Sequence, residues 1–408
     1  IGTGRAGGRA QGGGGGQGGR GSARTHQVDG EQIAEANRVL IQFQEHPQAW
    51  TRVDTILQYA QSDEAKVIAC NVLESTITVK WNVLPEDQRE GMKNFVVDLV
   101  VNMSSDAAMM QREATYLTRL NLVLVEILKH EWPHNWPNFI SELVEASNKA
   151  ESLCENNMVI LRFLSEEVFD YSKEQMVSGK VQALKERLNS EFSMIFDLCQ
   201  YVLEASSESL VRATLVTLHK FLNWIPLGYI FETNIVNALL TQFFPNPAFR
   251  NIALQCLVEI GSLSVKTNVY DEAFVALYSV FVSEQLPAVI TGSTNIAQAY
   301  YMGSEEEKGF VHYLALFFTG FFKAHRDLLE AHGEAHEVLL EGHMVLARIS
   351  AVQDLKVFRI TLDYWHALAR SLYIGMGAGK GTKSVLGASK ALVVSNPYAA
   401  LATSEDAA

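Results

Sequence analysis

Apolar residues recur at helical spacing almost without interruption from residue 29 onward. Between residues 116 and 128, tyrosine, leucine, valine and isoleucine return every three or four positions, which places them on one face of an α-helix. No segment shows the strict alternation of apolar and polar residues that is typical of a half-buried strand. The pattern predicts helices over 30–45, 48–60, 63–83, 86–103, 109–131, 137–149, 152–170, 179–204, 208–224, 233–243, 247–263, 268–284, 309–330, 334–349 and 354–374.

The lengths of these helices and of their connectors indicate how they pack. Helices joined by short turns form antiparallel pairs, and each pair here occupies about 40–50 residues, the period of HEAT repeats. We therefore expect an all-α fold, a HEAT-repeat α-solenoid in which antiparallel helix pairs form a right-handed superhelical array. The stretch 285–308 is the least regular, and we expect it to contain a loop.

Both ends of the chain differ in composition from the helical part. Residues 1–28 are mostly glycine, with arginines and no acidic residue, and such a segment cannot bury enough apolar surface to fold. We expect a disordered Gly/Arg-rich tail there, with an RNA-contacting tail as the alternative. Residues 29–374 are expected to form the solenoid, and residues 375–408 a flexible linker.

Charge and cysteine content narrow the classes of function. The 408 residues carry a net charge of −13, which disfavours direct nucleic-acid binding and suits partners with basic surfaces. No uninterrupted apolar run approaches the length needed to span a membrane. The four cysteines are far apart and form no CxxC pair, so free buried thiols are the simplest expectation. They are Cys70, Cys154, Cys199 and Cys256.

The pentapeptide HEWPH, which begins at His130, matches the H-E-x-x-H signature of zinc metalloproteases. That signature requires a continuous helix, on which two histidines four residues apart share a face and the glutamate activates water. Pro133 cannot continue such a helix, and it disfavours helical geometry at Trp132. We therefore predict that one helix ends near Trp132 and that the next begins at Pro137. His130 and His134 would then lie on opposite sides of a break.

A second group of histidines comprises His325, His332, His336 and His343. His332 and His336 are four residues apart and would bind a metal together only if Gly333 leaves the helix intact. The glutamates around them favour a polar helix face instead. No nucleophile motif accompanies the paired carboxylates of the chain, so the sequence indicates no catalytic, metal or cofactor site.

Four longer strings carry a resemblance to a known family. The chain resembles the exportin-1 family of nuclear export receptors, within the importin-β (karyopherin) superfamily, from about residue 30 to 374. In that family EWP ends one helix before the next, which supports the non-catalytic interpretation of HEWPH. The strings are EHPQAWTRVDTIL (45–57), EWPHNWPNFIS (131–141), NMVILRFLSEEVFD (157–170) and FLNWIPLGYIFET (221–233).

The resemblance implies an arch-shaped fragment of a ring-like solenoid, with an importin-β-type amino-terminal region at about 30–100 and exportin-type repeats after it. It implies a monomeric receptor that shuttles between nucleus and cytoplasm through the nuclear pore and contacts nucleoporins. Such a receptor binds Ran-GTP and carries export cargo with leucine-rich signals. GTP hydrolysis belongs to Ran, so the chain is not expected to be an enzyme or to need a cofactor.

Family members are much longer than this chain, so the resemblance implies that it covers only their amino-terminal repeats. The cargo would be held by later repeats, which are absent here. The chain would begin at the second helix of the first repeat, with the glycine-rich tail in place of the first helix. The helix at 30–45 would then have an uncovered apolar face around Ile33, Leu40 and Phe43.

In this family the second helix of each repeat faces Ran-GTP, and here these are the predicted helices 63–83, 109–131 and 152–170. Polar positions three or four residues apart identify the candidate contacts. A generic helical-repeat interaction scaffold is the alternative function, and a zinc hydrolase at HEWPH is a remote one. The candidates are Asn71, Glu74 and Thr78 on the first helix, Arg119, Glu126 and Lys129 on the second, and Arg162, Glu166 and Asp170 on the third.

Overall fold

A computed structural model of the chain describes residues 34–35, 37–46, 48–171, 178–265 and 267–378. Every regular element within these ranges is helical, and they contain no strand. The predicted all-α HEAT-repeat class is confirmed. The chain divides into two compact units, unit 1 (Ile1–Leu164) and unit 2 (Ser165–Ala408).

Unit 1 is built from helical hairpins. The second helix of one hairpin packs on the second helix of the next. α2 packs on α3, α4 packs on α6, and α3 lies directly against α6. The last residue of α8 belongs to unit 2. The helices are α1 (37–45), α2 (Val53–Tyr59), α3 (Asp63–Lys80), α4 (Glu86–Ser104), α5 (Ala107–Arg112), α6 (Ala114–Glu131), α7 (Phe139–Ser147) and α8 (Glu151–Ser165).

Unit 2 repeats the same arrangement. Its second helices α10, α13, α16 and α18 contact one another in succession, and α17 also packs on α16. The helices are α9 (Ser178–Leu203), α10 (Glu208–Phe221), α11 (Leu227–Phe231), α12 (Ile235–Ala238), α13 (Arg250–Gly261), α14 (Asp271–Val280), α15 (Ile296–Met302), α16 (Glu305–Ala331), α17 (His336–Ile349) and α18 (Leu355–Ala378).

Capping side chains explain where several helices begin. The Ser62 side chain accepts a hydrogen bond from the backbone N–H of Ala65 at the start of α3. At the start of α16, Ser304 and Glu307 each accept a hydrogen bond from the other's backbone N–H, which is a capping box. α16 therefore begins at Glu305 and not at the predicted residue 309.

One prediction about helix continuity was wrong. The predicted helix 109–131 is two helices, α5 and α6, because Glu113 leaves helical geometry and its carboxylate accepts a hydrogen bond from Lys66 at 2.7 Å. The stretch 285–308 contains the expected loop, at 286–295, and this loop is followed by α15, which was not predicted. The Asn295 side chain caps α15 by accepting from the Gln298 N–H.

Several other boundaries differ from the expected ones. α7 begins at Phe139 and not at Pro137, and α11 was not predicted. Three predicted helices end in a π-helical turn, in which hydrogen bonds reach five residues back and the turn widens. These turns are Glu166–Tyr171, Leu239–Phe243 and Phe281–Gln285.

The two terminal segments lie largely outside the described residues. α18 continues to Ala378, into the segment expected to be a linker. The rest of 375–408 and all of 1–28 are not among the residues described. The same holds for Ile33. Leu40 of the predicted uncovered face is 37% exposed, and with Phe43, Ile56 and Tyr59 it lines a groove of about 420 Å³.

The core is apolar and, in unit 2, rich in phenylalanine. Phe317, Phe318, Phe321 and Phe322 of α16 are all buried, and burial of each such side chain contributes roughly 1.5–3 kcal/mol before the entropy of ordering it. Among the residues described, no helix combines the length and apolarity required to cross a membrane.

The four cysteines should be unreactive in the folded protein. All four are buried and none forms a disulfide. Burial raises the pKa of Cys70 to about 12 and also raises those of Cys154 and Cys256. Because the thiolate is the reactive species, we expect Ellman's reagent at pH 8 to modify no thiol rapidly in native protein and all four in denaturant. Rapid modification of one native thiol would show that a cysteine is accessible and contradict this expectation.

Candidate functional site

The second helices of unit 1 are joined to one another in succession. α3 packs against α6, and two reciprocal amide hydrogen bonds of 2.7 and 3.1 Å join Asn121 of α6 to Asn156 of α8. Both asparagines are buried, and a buried amide stabilises a structure only when it is paired, so this pair favours one register of the two helices. We name the outward polar side of these helices the second-helix face. Its candidate residues are Asn71, Glu74, Thr78, Arg119, Glu126, Lys129 and Arg162.

Three of these residues are brought together into one network. The Thr78 hydroxyl is 3.1 Å from a Glu126 carboxylate oxygen and 2.9 Å from the backbone oxygen of Glu74. The Lys129 ammonium donates to the other Glu126 oxygen at 2.6 Å. The side chains of Glu126 and Lys129 are each only 12% exposed. The network therefore links α3 to α6, and a partner would have to compete with these bonds.

The other candidates on α3 and α6 have no such partners. Asn71, Glu74 and Arg119 are half-buried, and no side-chain hydrogen bond or ion pair joins them to any residue in the described ranges. Burial has the largest effect on the pKa of the Cys70 thiol and raises it. Arg119 lowers the same pKa, and Glu74 raises it. Both charges therefore lie near the same point of α3 and remain available to a partner.

Arg162 is the remaining candidate in unit 1. Its guanidinium carbon lies 4.9 Å from the centre of the Phe163 ring. Its Nε is buried without a hydrogen-bond partner, and a buried donor left unpaired costs about 1–3 kcal/mol. An anionic group delivered by a partner would remove that cost, so Arg162 is suited to bind an acidic side chain.

The last two candidates, Glu166 and Asp170, belong to unit 2. Both lie in the π-helical turn Glu166–Tyr171, so the helical spacing used to select them does not apply there. Glu166 forms an ion pair of 3.3 Å with Lys220 of α10. The side chain of Asp170 is outside the described residues.

Sequence reasoning missed the interactions that hold the second-helix face together. The Lys66–Glu113 hydrogen bond joins α3 to the start of α6, and it lowers the pKa of Glu113. The pair is separated by 47 residues, so no local pattern reveals it. The sequence does contain a signal for the Asn121–Asn156 pair. Asn121 interrupts an apolar stripe, at a position where a polar side chain needs a buried partner.

The HEWPH segment is a helix end, as predicted. α6 ends at Glu131, Trp132 is extended, and the Trp132–Pro133 peptide bond is cis. The Glu131 carboxylate accepts a hydrogen bond from the Trp81 indole N–H at 2.6 Å and lies 3.6 Å from Arg89. It is therefore engaged in packing α3 and α4 on α6. His134 is exposed beyond the break.

The second histidine group is also not assembled into a site. His332 is extended and Gly333–Ala335 is a 3-10 turn, so His332 does not share an α-helix with His336. His343 approaches the Leu339 carbonyl oxygen with Nδ1, at 2.8 Å, and the Tyr364 hydroxyl with Nε2, at 2.6 Å. The described part of the chain holds no group of three or more His, Cys, Asp or Glu residues arranged for a metal.

Three family models match the chain in succession. The importin-beta N-terminal domain matches residues 36–102, the exportin 1-like protein matches 113–257, and the chromosome region maintenance or exportin repeat matches 337–373. The chain is 47% identical to Protein EXPORTIN 1B of Arabidopsis thaliana over 344 residues, which are 84% of this chain and 32% of the relative. Exportin-1 of Schizosaccharomyces pombe is 45% identical over 349 residues, which are 85% and 32% of the two chains.

The chain belongs to the exportin-1 family. It spans about a third of the length of the exportin-1 relatives described above and fits their amino-terminal portion. Similarity to exportin-5 of Homo sapiens is lower, at 24% identity over 201 residues, 44% of this chain and 16% of the relative. Of the second-helix face, α3 lies within the importin-beta N-terminal match, and α6 and α8 lie within the exportin 1-like match.

Proposed function

We propose that this exportin-1 family chain forms the amino-terminal part of a nuclear export receptor and binds Ran in its GTP form through the second-helix face. The observation that carries the proposal is the high identity to exportin-1 relatives across most of the chain. In this role the protein shuttles between nucleus and cytoplasm and contacts nucleoporins. Cargo with leucine-rich export signals is bound by repeats other than those of this chain.

Within the face, we assign direct contact to the residues that have no internal partner. Arg119 and Arg162 offer guanidinium groups to acidic side chains of Ran, and Arg162 already has one unpaired buried nitrogen. Glu74 offers a carboxylate to a basic side chain. The network centred on Glu126 supports the face from within, since its charges are already neutralised by neighbours.

Binding on this face requires no chemistry by the chain itself. Ran-GTP and cargo each favour the same conformation of the receptor, so each raises the affinity of the other by the same factor. Hydrolysis of GTP on Ran weakens its contact with the receptor and thereby releases the cargo. The net charge of −13 also speeds encounter with a basic partner surface.

The proposal is tested by measuring the affinity of the whole chain for Ran loaded with a GTP analogue and with GDP, side by side. We expect binding to the GTP form alone. Arg162→Glu should weaken it about tenfold, because an uncommitted cation at an interface contributes about 1–2 kcal/mol and tenfold corresponds to about 1.4 kcal/mol. Arg119→Glu should act similarly.

The matched control is Arg52→Glu, which makes the same change of net charge at an exposed position outside the face. Arg52→Glu should leave the affinity within about twofold, apart from long-range screening effects that disappear at high salt. Equal losses in all three variants would mean that net charge alone drives binding. Absence of binding to either nucleotide form, by folded protein, would favour a scaffold for another partner.

A further inference from the structure

The Asn121–Asn156 pair is a polar contact in apolar surroundings. Asn121 is 1% exposed and Asn156 is 2% exposed, and each amide both donates to and accepts from the other. Four residues before or after Asn121, and three or four before or after Asn156, the same sides of α6 and α8 carry buried apolar residues. These are Leu117 and Val125 on α6, and Leu153 and Ile160 on α8.

Stability alone does not account for two amides at this position. An intramolecular hydrogen bond returns little more than the bonds to water that burial removes. Replacement of both partners by apolar groups of the same shape is nearly neutral or stabilising, whereas loss of one partner leaves a buried polar group unpaired. A reciprocal amide bond differs from apolar packing because it has a fixed length and direction, so it favours a single placement of one helix against the other.

The contact between α3 and α6 is also held by buried or half-buried polar bonds. Lys66 donates to Glu113 at the start of α6, and the Trp81 indole donates to Glu131 at its end. The paired residues are 47 and 50 positions apart, so α3 and α6 run in the same direction with a nearly constant offset. The reciprocal amide pair continues this series of bonds from α6 to α8.

The placement of α8 on α6 decides where two proposed contact residues stand. Arg119 lies two residues before Asn121, and Arg162 lies six residues after Asn156. At 1.5 Å per residue these separations are about 3 and 9 Å along the helices. A shift of α8 by one helical turn, about 5.4 Å, would move Arg162 equally far relative to Arg119. Bidentate binding of carboxylates by arginine tolerates much smaller errors.

We propose that Asn121 and Asn156 are positioning residues for partner binding, which set the distance between Arg119 and Arg162 so that both arginines engage acidic side chains of one partner molecule. This inference rests on the proposed function, because the partner that detects the distance is Ran in its GTP form. Both asparagines are buried, so they do not touch the partner. They contribute to affinity only through the two arginines.

The first test separates affinity from stability. Asn121→Leu combined with Asn156→Leu removes both amides and keeps two branched side chains of similar shape. We expect an unchanged circular dichroism spectrum and an equal or higher urea midpoint, whereas the affinity for Ran loaded with a GTP analogue falls about tenfold because one arginine contact is lost. Asn121→Ala with Asn156→Ala tests the same loss of affinity if the larger side chains prevent folding.

The matched control is the neighbouring buried polar pair on the same helix. Asn157 donates to the Ser147 hydroxyl at 2.9 Å and so joins α8 to α7. Asn157→Leu with Ser147→Ala removes this pair and leaves the Asn121–Asn156 bond in place, so the affinity should stay within about twofold. An equal loss of affinity in both double variants would overturn the proposal, because any loss of buried polar groups from α8 would then weaken binding.

A double-mutant cycle tests whether the asparagines act through Arg162. In the otherwise unsubstituted chain, Arg162→Ala should weaken binding about tenfold. After Asn121→Leu and Asn156→Leu, Arg162 no longer meets its acidic partner, so Arg162→Ala should weaken binding by at most about a further twofold. A full tenfold loss in both backgrounds would overturn the proposal, because the asparagines would then act independently of Arg162.

A measurement without the partner tests the placement of the helices. Spin labels at Thr118→Cys on α6 and Glu151→Cys on α8, both exposed positions, report the distance between these helices by electron paramagnetic resonance. We expect one narrow distance distribution, and a broader or shifted one after Asn121→Leu and Asn156→Leu. Identical distributions would overturn the proposal. Absence of Ran binding before any substitution would overturn the proposed function and the role of the pair in binding, while the label distances would still show whether the pair places α8 on α6.

Discussion

Glu131→Ala is expected to lower the free energy of unfolding by about 3 kcal/mol. The Glu131 side chain is 8% exposed, and its carboxylate accepts the Trp81 indole N–H at 2.6 Å and neighbours Arg89. In the variant, Trp81 remains 1% exposed with a buried donor that has no acceptor, and Arg89 loses its counter-charge. Urea unfolding measures the loss, and hydrogen–deuterium exchange should localise it to α3, α4 and α6.

A second indole–carboxylate bond provides the matched control. Trp136 donates its indole N–H to Glu142 at 2.9 Å, but this bond is exposed to water, which replaces a lost partner at little cost. Glu142→Ala should therefore change stability by less than about 0.5 kcal/mol. Equal effects of the two substitutions would mean that burial of Glu131 contributes nothing. Glu131→Gln that abolished a zinc-dependent hydrolysis without loss of stability would restore the protease interpretation.

Helix positions with strong local signals could be predicted from sequence. Pro85 followed by acidic residues predicted a helix over 86–103, and α4 is Glu86–Ser104. The proline in HEWPH likewise located the end of α6. In both cases the determinant is backbone chemistry within a few residues, which does not depend on the rest of the fold.

The π-helical turns and the break at Glu113 could not be predicted in this way. Apolar spacing is the same whether a helix ends in an α-turn or widens over its last residues, as at Glu166–Tyr171. Glu113 has no helix-breaking side chain. It leaves the helix where it bonds to Lys66, and that partner lies on another repeat.

The same distinction between local signals and contacts with distant residues applies to the candidate site. Helical spacing grouped Thr78 with Glu74 on α3 and selected Glu126 on α6, because side chains three or four residues apart share a face. It could not reveal that the Thr78 hydroxyl and the Glu126 carboxylate are 3.1 Å apart. A surface charge is available to a partner only if no residue of a neighbouring helix already pairs with it. By this criterion Arg162 is a candidate for direct contact, whereas Glu126 supports the face from within.

Gly342→Ala is expected to destabilise unit 2 by about 2–3 kcal/mol. A β-carbon at Gly342 would lie 1.9 Å from the Tyr278 hydroxyl oxygen and 3.0 Å from Phe318. Tyr278 is fully buried, with the Phe321 ring centre at 4.9 Å, so it cannot swing aside. The overlap outweighs the gain of about 1 kcal/mol that alanine normally brings to a helix interior.

The steric overlap can also be relieved by a substitution at Tyr278. Tyr278→Phe removes the clashing oxygen, so the nearest atom of residue 278 to the added β-carbon is the ring carbon, at 3.1 Å. The substitution also removes the hydrogen bond to the Val338 carbonyl, which costs about 1 kcal/mol. The double variant should therefore be more stable than the sum of the two single losses, as urea midpoints would show. Gly309→Ala in α16, where the nearest atoms are at an ordinary 3.7 Å, should be neutral or stabilising. Strict additivity of the Gly342 and Tyr278 losses would contradict the contact, because two side chains that do not touch cannot relieve each other.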